Sequence, residues 1–190
     1  MRIIGGHARG LHLAPVGDGD AAGHLRPTSD RVREAIFNLL INGKVAQSGD
    51  PVTGARVLDL FAGTGALGLE ALSRGAAHAT FVDDGKVARA LIKRNIDLMR
   101  AGDDAVCLAG NAAALPPNRR AEFDLVFLDP PYGKSLGQAA LASCVAGGWF
   151  APDALIVWEE GSALPPPPGF IQLDQRKYGD KFVTLLQEPR

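Results

Sequence analysis

From residue 56 onward, short apolar runs alternate with segments whose apolar positions recur at helical spacing. Residues 57–60, 79–82, 106–108, 123–128 and 155–158 have the length and composition of strands. Between them, residues 66–74, 86–100 and 138–145 predict helices. In the second of these, Val87, Leu91, Ile92 and Ile96 share one side, while Arg89, Lys93 and Arg100 lie elsewhere. Residues 123–128 are nearly all apolar, as in a strand buried on both faces. Strands alternating with helices imply a parallel sheet covered by helices on both faces. Two last runs, residues 170–173 and 182–186, flank Tyr178-Gly179-Asp180 and predict an antiparallel edge. The expected fold class is therefore α/β, a doubly wound and mostly parallel seven-stranded sheet.

The first 50 residues have a different pattern. Ile3-Ile4-Gly5-Gly6 and Leu11-His12-Leu13 can pair as a short hairpin. A glycine-rich stretch covers residues 17–23. Pro27-Thr28-Ser29-Asp30 then reads as a helix start, Val32, Ile36, Leu39 and Leu40 form an apolar face, and Gly43 ends the helix. Arg31, Glu34 and Asn38 point away. Ser48-Gly49-Asp50-Pro51 links this extension, residues 1–50, to a main domain of residues 51–190. Pro165 to Pro168 cannot be helix interior and reads as an extended connector.

Composition narrows the field. The chain has 190 residues and 46% hydrophobic content, enough for one ordinary core. Its longest apolar runs are strand-length, far short of the roughly 20 residues a bilayer requires. The first residues hold no apolar stretch suited to a signal peptide, so a cytoplasmic location is expected. Cys107 and Cys144 stand apart in apolar surroundings and read as reduced thiols. The four histidines form no ligand-like spacing with them, so no metal is expected. A net charge of −1 argues against indiscriminate coating of nucleic acid. The charge is uneven, however: through Arg33 there are five arginines against three aspartates, and no acid precedes Asp18. Such a segment is compatible with phosphate contact.

The loop between the first strand and helix runs Asp59-Leu60-Phe61-Ala62-Gly63-Thr64-Gly65-Ala66-Leu67-Gly68. Gly63, Gly65 and Gly68 satisfy G-x-G-x-x-G, and Asp83 ends the second strand twenty positions after Gly63. Glycines there let a nucleotide approach the backbone at the helix N-terminus, and Asp83 can accept from both hydroxyls of a ribose. The pattern alone suits a dinucleotide equally. Asp59 separates the two, because a carboxylate repels pyrophosphate but welcomes the ammonium of S-adenosylmethionine. Its other reading is a strand-end cap for the loop. Asn111, after the third strand, is placed to meet an adenine edge or to cap a helix. Phe61, Ala62 and Thr64 complete the expected cofactor loop.

Asp129-Pro130-Pro131-Tyr132 closes the fourth strand, at the edge where open α/β sheets bind ligands. Consecutive prolines fix φ and remove backbone donors, leaving the Asp129 carboxylate and the Pro130 carbonyl as a stiff acceptor array. The amino group of a base is a poor nucleophile because its lone pair is delocalised. Two acceptors gripping its N–H bonds turn the nitrogen towards tetrahedral geometry and free that pair, largely by positioning and electrostatics. Tyr132 can stack on a base taken out of its helix. The motifs point to methyl transfer onto an exocyclic amino nitrogen.

These motifs resemble the amino-methyltransferases of nucleic acids. Arg2-Ile3-Ile4-Gly5-Gly6, Arg9-Gly10 and Leu25-Arg26-Pro27-Thr28-Ser29-Asp30-Arg31-Val32-Arg33-Glu34 are similar to the signature of the RsmD family, as are residues 58–71 and Lys177-Tyr178-Gly179-Asp180. The resemblance covers almost the whole chain. It implies a Rossmann-like class I methyltransferase using S-adenosylmethionine to modify N2 of one guanine in 16S ribosomal RNA, within an assembling or assembled 30S particle. It implies a monomer, and rRNA contact by Arg2, Arg9, Arg26, Thr28, Arg31 and Arg33. Relatives commonly carry Glu where this chain has Asp83, a shorter reach to the ribose. The rivals are a DNA adenine-N6 methyltransferase, protein glutamine methylation and a non-catalytic nucleotide-binding or RNA-scaffolding module. The first needs a region that reads duplex sequence, and the core elements between Gly68 and Asp129 leave no room for one. The second more often carries Asn where this chain has Asp129.

Overall fold

The computed structural model describes residues 1–17 and 28–188. α1 (Asp30–Asn42) opens where its capping residue predicts, with the Ser29 hydroxyl accepting from Val32 N at 3.3 Å, and Gly43 caps its end. A 3₁₀ turn (Lys44–Ser48) leads towards β1 (Arg56–Leu60), α2 (Ala66–Ser73), β2 (His78–Asp83), α3 (Lys86–Met99) and β3 (Ala105–Ala109). There follow β4 (Phe123–Leu128), α4 (Leu136–Gly147), β5 (Phe150–Glu160), β6 (Ile171–Tyr178) and β7 (Lys181–Gln187). Among the described residues the strands form one seven-stranded sheet in the order β3-β2-β1-β4-β5-β7-β6. β1 to β5 are parallel, and β7 is antiparallel to both β5 and β6.

The doubly wound α/β expectation therefore holds, with one refinement at the edge. After β5 the chain goes first to the outer position and then returns between β5 and β6. Side chains explain that order. β6 carries Asp174, Arg176 and Lys177 and stays largely open, which suits an edge, whereas Val183 to Leu186 of β7 are buried. Gly179, at φ 64°, makes the turn that joins them.

Strand residues alternate between two cores. Val57, Phe81, Leu125, Phe127 and Val157 face α1, α2 and α3 on one side. Leu58, Val82, Val126, Leu128, Ile156 and Trp158 face α4 on the other. Cys144 is buried in this second core, and desolvation pushes its thiol up to about 12; Cys107 is raised for the same reason. Both thiols are free, and neither is an activated nucleophile. Among the described residues no helix is long and apolar enough to cross a membrane, and no cluster of His, Cys, Asp or Glu could hold a metal ion.

β5 exceeds its apolar centre at both ends. Phe150 pairs with Phe123 across a register shift, with Asp153 at φ 60°, and Glu159 and Glu160 remain in the strand opposite Val183 and Phe182. The face of α1 also differs from expectation. Its buried residues are Arg33, Ile36, Phe37 and Leu40, whereas Val32 and Leu39 are only partly covered.

The N-terminal residues belong to the first core. Ile3 and Leu13 are buried in it beside Ile36, Phe37 and Leu40. Their predicted hairpin is a single antiparallel bridge, Arg2 with His12, flanked by Ile3 N to Leu11 O at 2.9 Å and Leu13 N to Met1 O at 3.1 Å. The buried Glu70 of α2 holds this segment: its carboxylate accepts from Ile4 N and Gly5 N, each at 2.8 Å, and from Arg74 Nε at 2.8 Å. Arg33 Nε stands 3.5 Å from the same carboxylate.

Candidate active site

β1 and β4 are neighbours, with Leu60 opposite Leu128, and the strand order reverses between them. The loops after both strands therefore emerge side by side at the crevice where such sheets bind ligands. Between them lies a cleft of about 1260 Å³. Its walls are the loop after β1, the end of β2, the tetrapeptide after β4, the start of α1 and the β6–β7 turn.

The glycine loop is tightly built. Phe61 sits at φ 56°, a rare state for a residue with a Cβ, followed by Gly63 at 56° and Gly65 at 76°. Gly65 N donates to Ala62 O at 2.7 Å. A Cβ on Gly68 would stand 2.4 Å from the Phe81 ring, so this glycine lets α2 press against β2. The buried Asn95 of α3 braces the loop, donating to Thr64 O at 2.9 Å and accepting from Ala14 N at 2.7 Å.

Five aspartates line this cleft; Asp84 and Asp180 are exposed, and the other three are covered to different degrees. Asp59 is buried, and its Oδ2 accepts from Gly68 N at 2.9 Å. Asp83 accepts from Gly63 N at 2.9 Å and Gly85 N at 2.8 Å. Asp129 is partly open to the cleft, and Thr28 Oγ1 donates to its Oδ2 at 2.9 Å. Burial drives the Asp59 carboxyl well above the usual range, with smaller contributions from Asp129 and Asp83. Asp83 is raised chiefly by burial, against its two backbone donors. Asp129 is pushed up to about 8 by burial and then by the neighbouring Glu159, despite the opposing influence of Lys181 and Thr28. Crowded, desolvated carboxyls of this kind fit a cationic ligand and reject a polyphosphate. S-adenosylmethionine, with a sulfonium and an ammonium, has the matching charge, and the loop glycines leave room for its approach.

Tyr132 is 40% exposed, so its ring face is available, while its hydroxyl donates to Glu159 Oε1 at 2.7 Å. Lys181 Nζ pairs with the same Glu159 oxygen and lies 5.8 Å from the Tyr132 ring centroid. Burial and the Glu159 carboxylate hold the phenol far above its ordinary range, so it stays protonated as a donor.

The structure thus gathers Asp59, Phe61, Ala62, Gly63, Thr64, Asp83, Asp129, Pro130, Pro131 and Tyr132 around one cleft, with Thr28 and the exposed Arg31 also lining it. Gly65 and Gly68 shape the loop from behind. Several residues stand elsewhere than expected. Asn111 is exposed, is not among the residues lining the cleft, and caps a 3₁₀ turn by accepting from Ala113 N at 2.9 Å. Arg33 was expected on the rRNA-facing surface, but it is fully buried. It bonds to Asp30 at 2.9 Å and to Arg2 O, so its charge is spent inside the protein. Thr28 is buried against Asp129, where it orients a carboxylate. Arg2, Arg9 and Arg31 are exposed, Arg2 with Asp30 at 4.0 Å. Arg26 lies outside the described residues.

Glu159 and Lys181 escaped the sequence reading. Glu159 ends an apolar run and reads as a strand exit, and Lys181 begins a strand 22 residues later. Only the pairing of β5 with β7 brings them together. Asn95, 31 residues from Thr64, was equally invisible.

Fold and site together define a class I methyltransferase that uses S-adenosylmethionine. Comparison with known proteins agrees. The family described as conserved hypothetical protein 95 matches residues 1–187. Ribosomal RNA small subunit methyltransferase D of Escherichia coli K12 is 40% identical over 191 residues, covering 99% of this chain and 89% of the relative. Its Haemophilus influenzae namesake is 33% identical over 192 residues, covering 98% and 93%. The solved structure of Escherichia coli yhhF superposes with a TM-score of 0.79 at 34% identity, over 100% of this chain and 98% of that one. The chain belongs to the RsmD family, that of ribosomal RNA small subunit methyltransferase D.

Proposed function

We propose that the protein methylates the exocyclic N2 amino group of one guanine in 16S ribosomal RNA. The observation that carries this reading is the placement of Asp129, Pro130 and Tyr132 across one cleft from the glycine loop and Asp83. The names of the relatives support rRNA as the substrate. When bound, S-adenosylmethionine supplies the methyl group. Asp59 and the loop after β1 hold its amino-acid end, and Asp83 its ribose. Asp129 and the Pro130 carbonyl grip the N–H bonds of the guanine amino group, and Tyr132 stacks on the extruded base. Thr28 fixes one Asp129 oxygen, leaving the other for substrate. The exposed Arg31, with Arg2 and Arg9, meets rRNA phosphates. Residues 1–50 serve as the rRNA-facing part, and the assembling or assembled 30S particle is the substrate.

The test is to incubate the protein with labelled S-adenosylmethionine and small-subunit particles that lack their own methylation, with genomic DNA alongside. The RNA and DNA are then digested to nucleosides. Label in N2-methylguanosine from the particles is the expected result. Label only in N6-methyladenine from DNA would overturn the substrate while keeping the fold and the acceptor geometry.

A further inference from the structure

Glu159 is 1% exposed at the end of β5, yet neither the glycine loop nor the tetrapeptide contains it. One of its oxygens serves two groups, accepting from the Tyr132 hydroxyl at 2.7 Å and from the Lys181 ammonium. The other, Oε2, is shut off from solvent with no hydrogen-bond partner. A buried acceptor left empty costs stability unless something nearby can donate. Leu128 of β4 lies opposite Trp158 of β5, so Asp129 and Glu159, the next residue on each, emerge side by side, and the Glu159 charge raises the Asp129 carboxyl. Packing alone does not call for a carboxylate facing another carboxylate.

We propose that Glu159, held by Lys181, is the positioning residue of this site: it clamps the Tyr132 ring through the phenol, and its charge beside Asp129 makes that aspartate a strong acceptor for a proton of the substrate amino group. The inference rests on the reading of Asp129 as the amino-group acceptor. An amino nitrogen that gains a fourth bond must lose a proton. That proton passes to an Asp129 oxygen, the nitrogen keeps the electron pair of the broken N–H bond, and Asp129 shares the proton with Glu159 Oε2. A carboxylate of ordinary basicity would accept it poorly. One that titrates near 8, as Asp129 does, is matched to the task near neutral pH. The groups facing Asp129 are Glu159 from β5, Lys181 from β7, Asp59 from β1, Tyr132 from its own loop and the Thr28 hydroxyl ahead of α1. Of the charged ones, Glu159 raises Asp129 most and Lys181 lowers it.

The experiment follows the ¹³C carboxyl resonance of Asp129 through a pH titration of the ligand-free, full-length protein. Glu159→Gln keeps an oxygen for the Tyr132 hydroxyl but removes the charge, so the Asp129 midpoint should fall by on the order of one pH unit or more. Lys181→Met should move it the opposite way. Tyr132→Phe should leave the midpoint within a few tenths of a unit and raise KM for rRNA more than it lowers kcat. With particles as substrate, the acid limb of the kcat/KM profile of Glu159→Gln should move down with the carboxyl midpoint, at unchanged affinity for S-adenosylmethionine. An Asp129 midpoint that stays put in both charge variants would overturn the proposal, and the Lys181 variant carries the test should Glu159→Gln fail to fold. The titration needs no substrate, so it stands apart from the assignment of guanine. Label in a different base would change that assignment and leave this result readable.

Discussion

Replacing Glu70 by Gln tests how the N-terminal segment is held. Glu70 is fully buried, and its two oxygens accept from Ile4 N, Gly5 N and Arg74 Nε at 2.8 Å each, with Arg33 Nε at 3.5 Å. The amide removes the charge and turns one acceptor into a donor. It then faces at least one backbone N–H with another, and among the described residues leaves the fully buried Arg33 with only Asp30 as an anionic partner. Each hydrogen bond to a charged group contributes about 1.5–3 kcal/mol, but the three hydrogen bonds and the Arg33 ion pair share one carboxylate and do not add. Removing one partner of a buried ion pair typically costs about 3–5 kcal/mol, and we take that as the expected loss. Against a total stability of about 5–15 kcal/mol it is a large fraction. In a chain of this length it corresponds to a fall of roughly 6–20 °C in Tm. Urea unfolding and thermal melts of the two proteins measure it directly. A loss under about 1 kcal/mol for Glu70→Gln would refute the argument, since it would mean that water or another group reaches the carboxylate site.

Other expectations concern the cleft. Asp129→Ala should abolish methyl transfer while leaving affinity for S-adenosylmethionine nearly unchanged. Asp83→Ala should instead weaken that affinity by on the order of 1.5–3 kcal/mol; calorimetry with single-turnover assays separates the two, and equal losses in both would break the division of labour. Thr28→Val removes the donor to Asp129 Oδ2 and should lower kcat by on the order of tenfold, with KM for the cofactor unchanged. The pH dependence of stability has a definite sign. Asp129 titrates at about 8 when folded against an ordinary 3.8, so the folded state retains a proton that the unfolded chain releases. Its stabilisation is complete below the lower value and is lost as pH rises through the upper one, and Asp59 and Asp83 act in the same direction. Urea midpoints should therefore decline across that window, and Asp129→Asn should flatten the slope; an unchanged slope would contradict the raised carboxyl.

What the sequence determined by itself was local or periodic. The alternation of apolar strands with amphipathic helices specified the α/β class, because only a two-faced sheet buries strands such as residues 123–128. The glycine loop and the tetrapeptide were legible because each acts through contiguous backbone: positive φ at Gly63 and Gly65, a close helix approach at Gly68, and two prolines after Asp129. Residue type alone could not separate roles that depend on neighbours. Arg33 read as a surface arginine, although its spacing with Ile36, Phe37 and Leu40 marks the buried stripe of α1. A charge is assigned outward by default, and only the carboxylate of Glu70, 37 residues away, makes burial affordable. Thr28 read as part of a basic signature until the fold set it against Asp129, 101 residues on. Glu159 and Lys181 carried no signal at all, because their meaning arises from β5 pairing with β7. Long-range contacts of this kind decide which carboxyl is desolvated and which is paired. The tertiary structure therefore set the protonation chemistry of a cleft whose outline the sequence had already drawn.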